Sequence, residues 1–374
     1  MTSPIDSAGD ELPSYEDLSD EQDEVYNLPL DGNYLVSGPP GTGKSVIALY
    51  RAEALTIDDR DPSILMFNNV LKQYTQLHAH KLGVAGNIET FHRWMNGFWV
   101  RSFGSKPPKV GADEWAYDWS AIAVQFMSAP PARDQLADLL VDEGQDMSVG
   151  FYRIAQWVCT NITVFADENQ KLRDVNTTLS EIERNIGARE HLLLRRNYRN
   201  SLEIARLASW FYSGAPTGIP ELPRRSWQPG PRLDCYKNMN DFVETVARYA
   251  TTHSNRRIGI AARTARIQQK LFNRLSARGV PTETYIWKET AHRSLDFAVP
   301  SVKIINYMSL KGLQFDTLFV PELQLEAQDV TSAAVRMKFY VVMSRARNEL
   351  YLSYVGETEP PLVAEIPHDL LARS

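Results

Sequence analysis

The chain has 374 residues, long enough for two domains that each bury a core of their own. Its composition, 43% apolar and 23% charged, is ordinary for a soluble globular protein, and no apolar run approaches the ~18 residues of a membrane span. A net charge of −6 excludes a globally basic nucleic-acid binder, so any such groove has to be basic locally. Cys159 and Cys235 are the sole cysteines and lie in no metal-ligand spacing, which predicts a reducing, cytoplasmic setting without a disulfide framework.

Residues 1–24 form an acidic lead-in, with Asp6, Asp10, Glu11, Glu16, Asp17, Asp20, Glu21, Asp23 and Glu24. It has neither the basic start nor the apolar core of a signal peptide, and partial disorder is expected. A strand-like run, Tyr34-Leu35-Val36, then enters Ser37-Gly38-Pro39-Pro40-Gly41-Thr42-Gly43-Lys44-Ser45, which a helix-like run from Val46 follows. The stretch fits G-x-x-x-x-G-K-[ST] in the strand–loop–helix setting that a phosphate-binding loop requires. Glycines let successive N–H groups turn inward, and the positive end of the next helix favours an anion. Lys44 is placed to reach β- and γ-phosphates, and the Ser45 hydroxyl to sit on Mg²⁺.

Further on, Ser63 to Phe67 predicts a buried strand, closed by Asn68-Asn69 and followed by a polar helix through Leu71, Tyr74, Leu77 and His78. Asn87 to His92 reads as a strand end or turn. Residues 91–119 are dense in aromatics, namely Trp94, Phe98, Trp99, Phe103, Trp115, Tyr117 and Trp119. They fit either the core of a small insertion, spanning 91–138, or a surface that stacks bases. Leu139-Leu140-Val141 is a clean strand ending in Asp142 and Glu143, and Ile162 to Asp167 repeats that form. Beside a phosphate loop, Asp142 suits the metal shell and Glu143 suits activation of a water. Gln170, after the second strand, has an amide that can report on a γ-phosphate.

A basic run, Arg195 to Arg199, marks the domain boundary, giving domains over 25–195 and 196–374. The second repeats the alternation: strands at 258–262, 302–306, 317–320 and 350–353, with a helix from Thr264 to Arg278. Arg199 and Arg345 each sit in a short motif, and guanidinium groups suit charge that builds on phosphoryl oxygens. The fold class expected is α/β, with parallel sheets.

Taken in order, these stretches resemble the motif series of a superfamily 1 helicase of the UvrD/Rep type, from about Gln22 to Pro367. Gln22 resembles the adenine-reading glutamine. Phe67 and Asn68, then Thr90 and His92, resemble the two single-strand-contacting motifs. Asp142-Glu143-Gly144-Gln145-Asp146 is similar to D-E-x-Q-D, and Gln170 to the γ-phosphate sensor. Tyr198 and Arg199 match the N-Y-R element, Lys311-Gly312-Leu313-Gln314-Phe315 resembles K-G-L-E-F, and Tyr340 to Arg347 resembles Y-V-A-x-T-R-A-R. The resemblance implies two RecA-like P-loop domains with ATP and Mg²⁺ in the cleft between them. Gly38, Pro39, Gly41, Thr42, Gly43, Lys44, Ser45, Tyr198, Gly312 and Gln314 would then hold the nucleotide. Ser45 and Asp142 would serve the metal, and Lys44, Glu143, Gln170, Arg199 and Arg345 the chemistry. It also implies single-stranded nucleic acid, DNA above all, as partner.

Three departures stand out. The family's large insertions are missing or shrunken. Lys171-Leu172-Arg173 follows Gln170 where the family often places a base-stacking aromatic. Gln314 and Met308 replace the expected glutamate and histidine. ATP turnover is expected to survive these changes. The shrunken insertions leave a second expectation open, a nucleotide-controlled switch that signals to a protein partner such as a nuclease in repair or defence. An AAA-type ATPase shares the Gly38–Lys44 pattern, but a helical lid would stand where this chain has a second α/β half.

Overall fold

The computed structural model describes residues 12–67, 69–111, 115–131, 136–168, 177–214, 218–286, 294–326 and 329–374. These residues form two compact units. The first runs to Gly38 and resumes over Gly43–Leu194, and the second takes Pro39–Thr42 together with Arg195–Ser374.

The first unit starts inside the acidic lead-in. Helix α1 (Asp20–Tyr26) opens with a capping box, in which Ser19 Oγ accepts from the Gln22 backbone N–H and the Gln22 side-chain oxygen accepts from the Ser19 N–H. Carboxylates in the first turn favour the positive helix end. Tyr15 packs on Tyr26 and Tyr50, with centroids 5.2 and 4.5 Å away. Within the acidic stretch, residues 20–24 are thus helical. Acidity there marks a helix start, and three tyrosines anchor it.

The chain continues through β1 (Asn33–Ser37), α2 (Lys44–Ile57), β2 (Ser63–Met66), α3 (Asn69–Ala79), β3 (Ile88–Thr90), α4 (Phe91–Phe103) and α5 (Trp119–Ser128). Next come β4 (Leu136–Val141), α6 (Val149–Val158), β5 (Cys159–Ala166), α7 (Leu179–Ile186) and β6 (Glu190–Leu193). The six strands form one parallel sheet, in the order β3-β2-β4-β5-β1-β6. Apolar residues fill both faces, as parallel sheets require. Leu35 of β1 enters one core while Tyr34 and Val36 enter the other.

The aromatic segment does not stand apart as a subdomain. Residues 91–103 are helical, and Trp94, Phe98 and Trp99 are buried in the same core as β4 and β5, with Ile122 and Phe126 of α5. Trp94 stacks on Phe98 at 5.6 Å. One turn of helix separates these two rings, and the strand end expected over Asn87–His92 is β3.

In the second unit the elements are α8 (Leu202–Trp210), β7 (Arg232–Tyr236), α9 (Met239–Thr252), β8 (Ile258–Ala262), α10 (Ala265–Ser276), β9 (Thr282–Thr284) and β10 (Val302–Asn306). They are followed by β11 (Phe315–Val320), α11 (Ala333–Met343), β12 (Ala346–Val355), α12 (Pro361–Ala364) and β13 (Ala372–Arg373). Seven strands pair in parallel, in the order β13-β7-β12-β11-β8-β10-β9. Both units thus have the α/β, all-parallel architecture that the sequence predicts, consistent with two RecA-like domains.

Arg51 braces the entry to β1. It is 1% exposed and donates to Thr163 Oγ1 (2.9 Å), the Leu28 carbonyl (3.1 Å) and the Pro29 carbonyl (2.7 Å). Arg51→Leu leaves these buried acceptors without a donor and is expected to lower the unfolding free energy by about 3 kcal/mol. An unchanged urea midpoint would contradict that role.

Candidate active site

Parallel strands leave their C-terminal ends on one edge of a sheet, and loops gather functional groups there. In the first unit, β1 ends at Ser37, β4 at Val141 before Asp142-Glu143, and β5 at Ala166 before Asp167. The glycine-rich loop leaves β1 between β5 and β6 and turns into α2. Gly43 has φ 91°, a conformation that costs other residues energy, and a Cβ there would lie 2.3 Å from Gln22 Nε2. Gln22 thus packs on the loop at Gly43. Lys44, buried at 7% exposure, opens α2, donates to the Gly38 carbonyl (2.6 Å) and stands 3.9 Å from the buried Asp167 carboxylate.

The carboxylates of β4 are tied to this loop. Ser45 Oγ donates to Asp142 Oδ2 at 2.7 Å, and the Glu143 N–H donates to Asp142 Oδ1 at 2.9 Å. Burial pushes the Asp142 carboxyl up to about 6, and the Glu143 charge adds to the rise, while the Ser45 hydrogen bond and Lys44 oppose it. Glu143 has φ 54°, a left-handed backbone in a non-glycine residue. Gln145, fully buried, fixes it there. Its amide nitrogen donates to Glu143 Oε2 (2.6 Å), its amide oxygen accepts from the Asp167 N–H (2.8 Å), and its carbonyl accepts from the Thr177 N–H (3.0 Å). The candidate residues named from the sequence leave Gln145 out, although its place two residues after Glu143 was visible.

Ser45 and Asp142 present an all-oxygen pair. A hard cation such as Mg²⁺ commonly takes one or two oxygens from the protein and the rest from phosphate and water. Among the described residues, no cluster of three or more His, Cys, Asp or Glu could hold a metal alone. An oxygen pair of this kind fits a hard cation whose remaining ligands come from elsewhere.

In the second unit, Asn197 and Asn200 hold Arg199 in register with Arg345. Asn197 Oδ1 accepts from the Arg199 N–H (3.0 Å) and the Asn200 N–H (3.2 Å), and its Nδ2 donates to Asn200 Oδ1 (2.8 Å). Asn200 Nδ2 in turn donates to the Ser344 carbonyl (3.1 Å) and to the Ala346 carbonyl, on either side of Arg345. Arg225 Nη2 spans the same two segments, donating to the carbonyls of Arg199 (2.8 Å) and Arg347 (2.9 Å). Sequence reasoning missed Arg225, which sits in a loop without periodicity. Arg345 is fully buried, with Nε donating to the Val341 carbonyl at 3.0 Å. Gln314, turned so that its amide oxygen faces Arg199, accepts from Nε at 3.2 Å and Nη2 at 3.3 Å. Tyr198 is 42% exposed, and its N–H donates to the Gly41 carbonyl at 2.9 Å. Thr42 Oγ1 donates to the Pro39 carbonyl at 3.0 Å, and Gly312 has φ 80°.

Of the expected single-strand contacts, Phe67, Thr90 and His92 lie together, since β2 and β3 pair with Met66 opposite Thr90. Phe67 meets His92 edge-on at 6.1 Å. Asn68 and Gln170 lie outside the described residues.

Two measurements probe these arrangements. A carboxyl raised on folding keeps its proton between roughly pH 4 and pH 6 while the unfolded chain releases it. Its contribution is therefore full at low pH and is lost as pH rises through about 6. With a chelator present, wild type is expected to lose stability relative to Asp142→Asn across that window and to hold a constant difference above it. Urea midpoints that differ equally at pH 4.5 and 7.5 would contradict the burial effect. Asn200→Ala removes the donor to both carbonyls beside Arg345 and is expected to cost about 2 kcal/mol in urea unfolding. No loss would show that the tie is dispensable.

No family model matches the chain, and no curated protein matches it. Among solved structures, the chain is similar to the crystal structure of the C-terminal domain of a possible DNA helicase from Lactobacillus plantarum WCFS1. The two are 23% identical with a TM-score of 0.37, over 47% of this chain and 98% of that one.

Proposed function

We propose that this chain is a Mg²⁺-dependent ATPase of the superfamily 1 helicase type, whose turnover is coupled to single-stranded DNA. The observation that carries this proposal is the 2.7 Å hydrogen bond from Ser45 to Asp142. It joins the last residue of the glycine-rich loop to the carboxylate that follows β4, the pairing that P-loop ATPases use around their metal. The Gly43 conformation, the packing of Gln22 against it and the burial of Lys44 support the same reading.

Each residue has a physical task in this proposal. Lys44 supplies positive charge to the phosphate chain. One of its partners, the Gly38 carbonyl, is a neutral acceptor that an anionic oxygen readily replaces. Bound Mg²⁺ would neutralise charge on the phosphate oxygens, with Ser45 and Asp142 as its protein partners. Glu143 accepts the proton of the attacking water, and Gln145 holds its carboxylate in place. Arg199 and Arg345 are the guanidinium groups proposed to stabilise charge on the transferred phosphoryl group, kept in register by Asn200 and Arg225.

Steady-state ATP hydrolysis with and without single-stranded DNA or RNA tests the proposal. Wild type is expected to be stimulated about tenfold or more by one polymer, and Lys44→Ala to lose at least ~100-fold in turnover. Slow turnover indifferent to both polymers would overturn the coupling to single strands and favour a switch read by a protein partner. Equal turnover in wild type and Lys44→Ala would overturn the ATPase itself.

A further inference from the structure

The aromatic segment divides by exposure. Trp94, Phe98 and Trp99 are buried in the core, but Trp115 is 47% exposed. Its ring stands 4.7 Å from His92 at 75°. His92 stacks on Tyr117 at 5.6 Å and 18°, shares a 3.2 Å hydrogen bond with the Tyr117 hydroxyl, and meets Phe67 edge-on. Tyr117 is buried, with the Lys109 ammonium 3.0 Å from its ring centroid. Lys109 and Tyr117 also pair as an antiparallel bridge, flanked by bonds from Val110 N–H to the Ala116 carbonyl (2.8 Å) and from Asp118 N–H to the Pro108 carbonyl (3.1 Å).

Position adds a second argument. Phe67 follows β2 and His92 follows β3, on the sheet edge where Asp142 follows β4, the neighbour of β2. A scattered surface tryptophan needs no explanation. One braced by a histidine, itself stacked on a buried tyrosine, is a preorganised flat surface.

We infer that Trp115, supported by His92, is a stacking platform for a base of single-stranded nucleic acid. This inference rests on the nucleic-acid part of the proposed function. Stacking on an aromatic face tolerates any base, since each base has a π-face. It requires a base, however, and a sugar–phosphate strand without bases gains nothing from it.

The test uses the full chain and fluorescence anisotropy, with an oligothymidylate of about sixteen nucleotides and an abasic strand of the same length as probes. Wild type is expected to bind the oligothymidylate about tenfold more tightly than the abasic strand. Trp115→Ala is expected to lose most of that preference through weaker binding of the oligothymidylate alone, and Trp115→Phe to keep most of it. Urea midpoints check that both variants fold. A preference that is absent in wild type, or equal in wild type and Trp115→Ala, overturns the platform while leaving single-strand binding intact. Failure of wild type to bind either strand overturns both the platform and the nucleic-acid part of the proposed function.

Discussion

Six parallel strands leave their C-terminal ends on one edge of the first sheet, and the chemistry available to that unit depends on this constraint. No strand carries a complete site. β1 brings a loop with Lys44 and Ser45, β4 brings Asp142 and Glu143, and β5 brings Asp167. Register between neighbours then brings Ser45 and Asp142 into contact, although 97 residues separate them in the chain. Antiparallel pairing would send alternate strand ends to opposite edges and dissolve the arrangement.

Concentrating carboxylates at that edge has an electrostatic cost. Asp142 and Glu143 are adjacent and buried, and burial followed by the Glu143 charge pushes the Asp142 carboxyl up. Hydrogen bonds offset part of that cost. Ser45 and the Glu143 N–H satisfy Asp142, and Gln145 satisfies Glu143 while its oxygen takes the Asp167 N–H. One amide thereby braces the ends of β4 and β5, and holds Glu143 in a backbone conformation it would not choose alone. Such strain is commonly stored where a side chain must be aimed.

The second unit solves a similar problem with neutral and cationic donors. Asn200 and Arg225 each bridge the segments that carry Arg199 and Arg345 through backbone carbonyls. The carbonyls of Ala346 and Arg347 belong to β12 and that of Ser344 to the end of α11, so the Arg199 segment is tied to those elements. Gln314 approaches Arg199 as a neutral amide whose oxygen accepts from Nε and Nη2.

The sequence by itself determined what depends on local order. Strands 258–262 and 302–306 fall where apolar runs predict them, and the glycine-rich loop is legible because its glycines, lysine and serine are consecutive. Helix α1 was hidden, because acidic residues that suit a helix start also suit disorder. Only the tertiary structure decided which aromatics are core, since Trp99 and Trp115 carry the same side chain and differ solely in what packs around them. It alone also revealed the bridging by Gln145, Asn200 and Arg225, whose partners lie on other elements. Local propensity acts over a few residues, whereas burial and hydrogen-bond partnership are settled only when distant strands come into register.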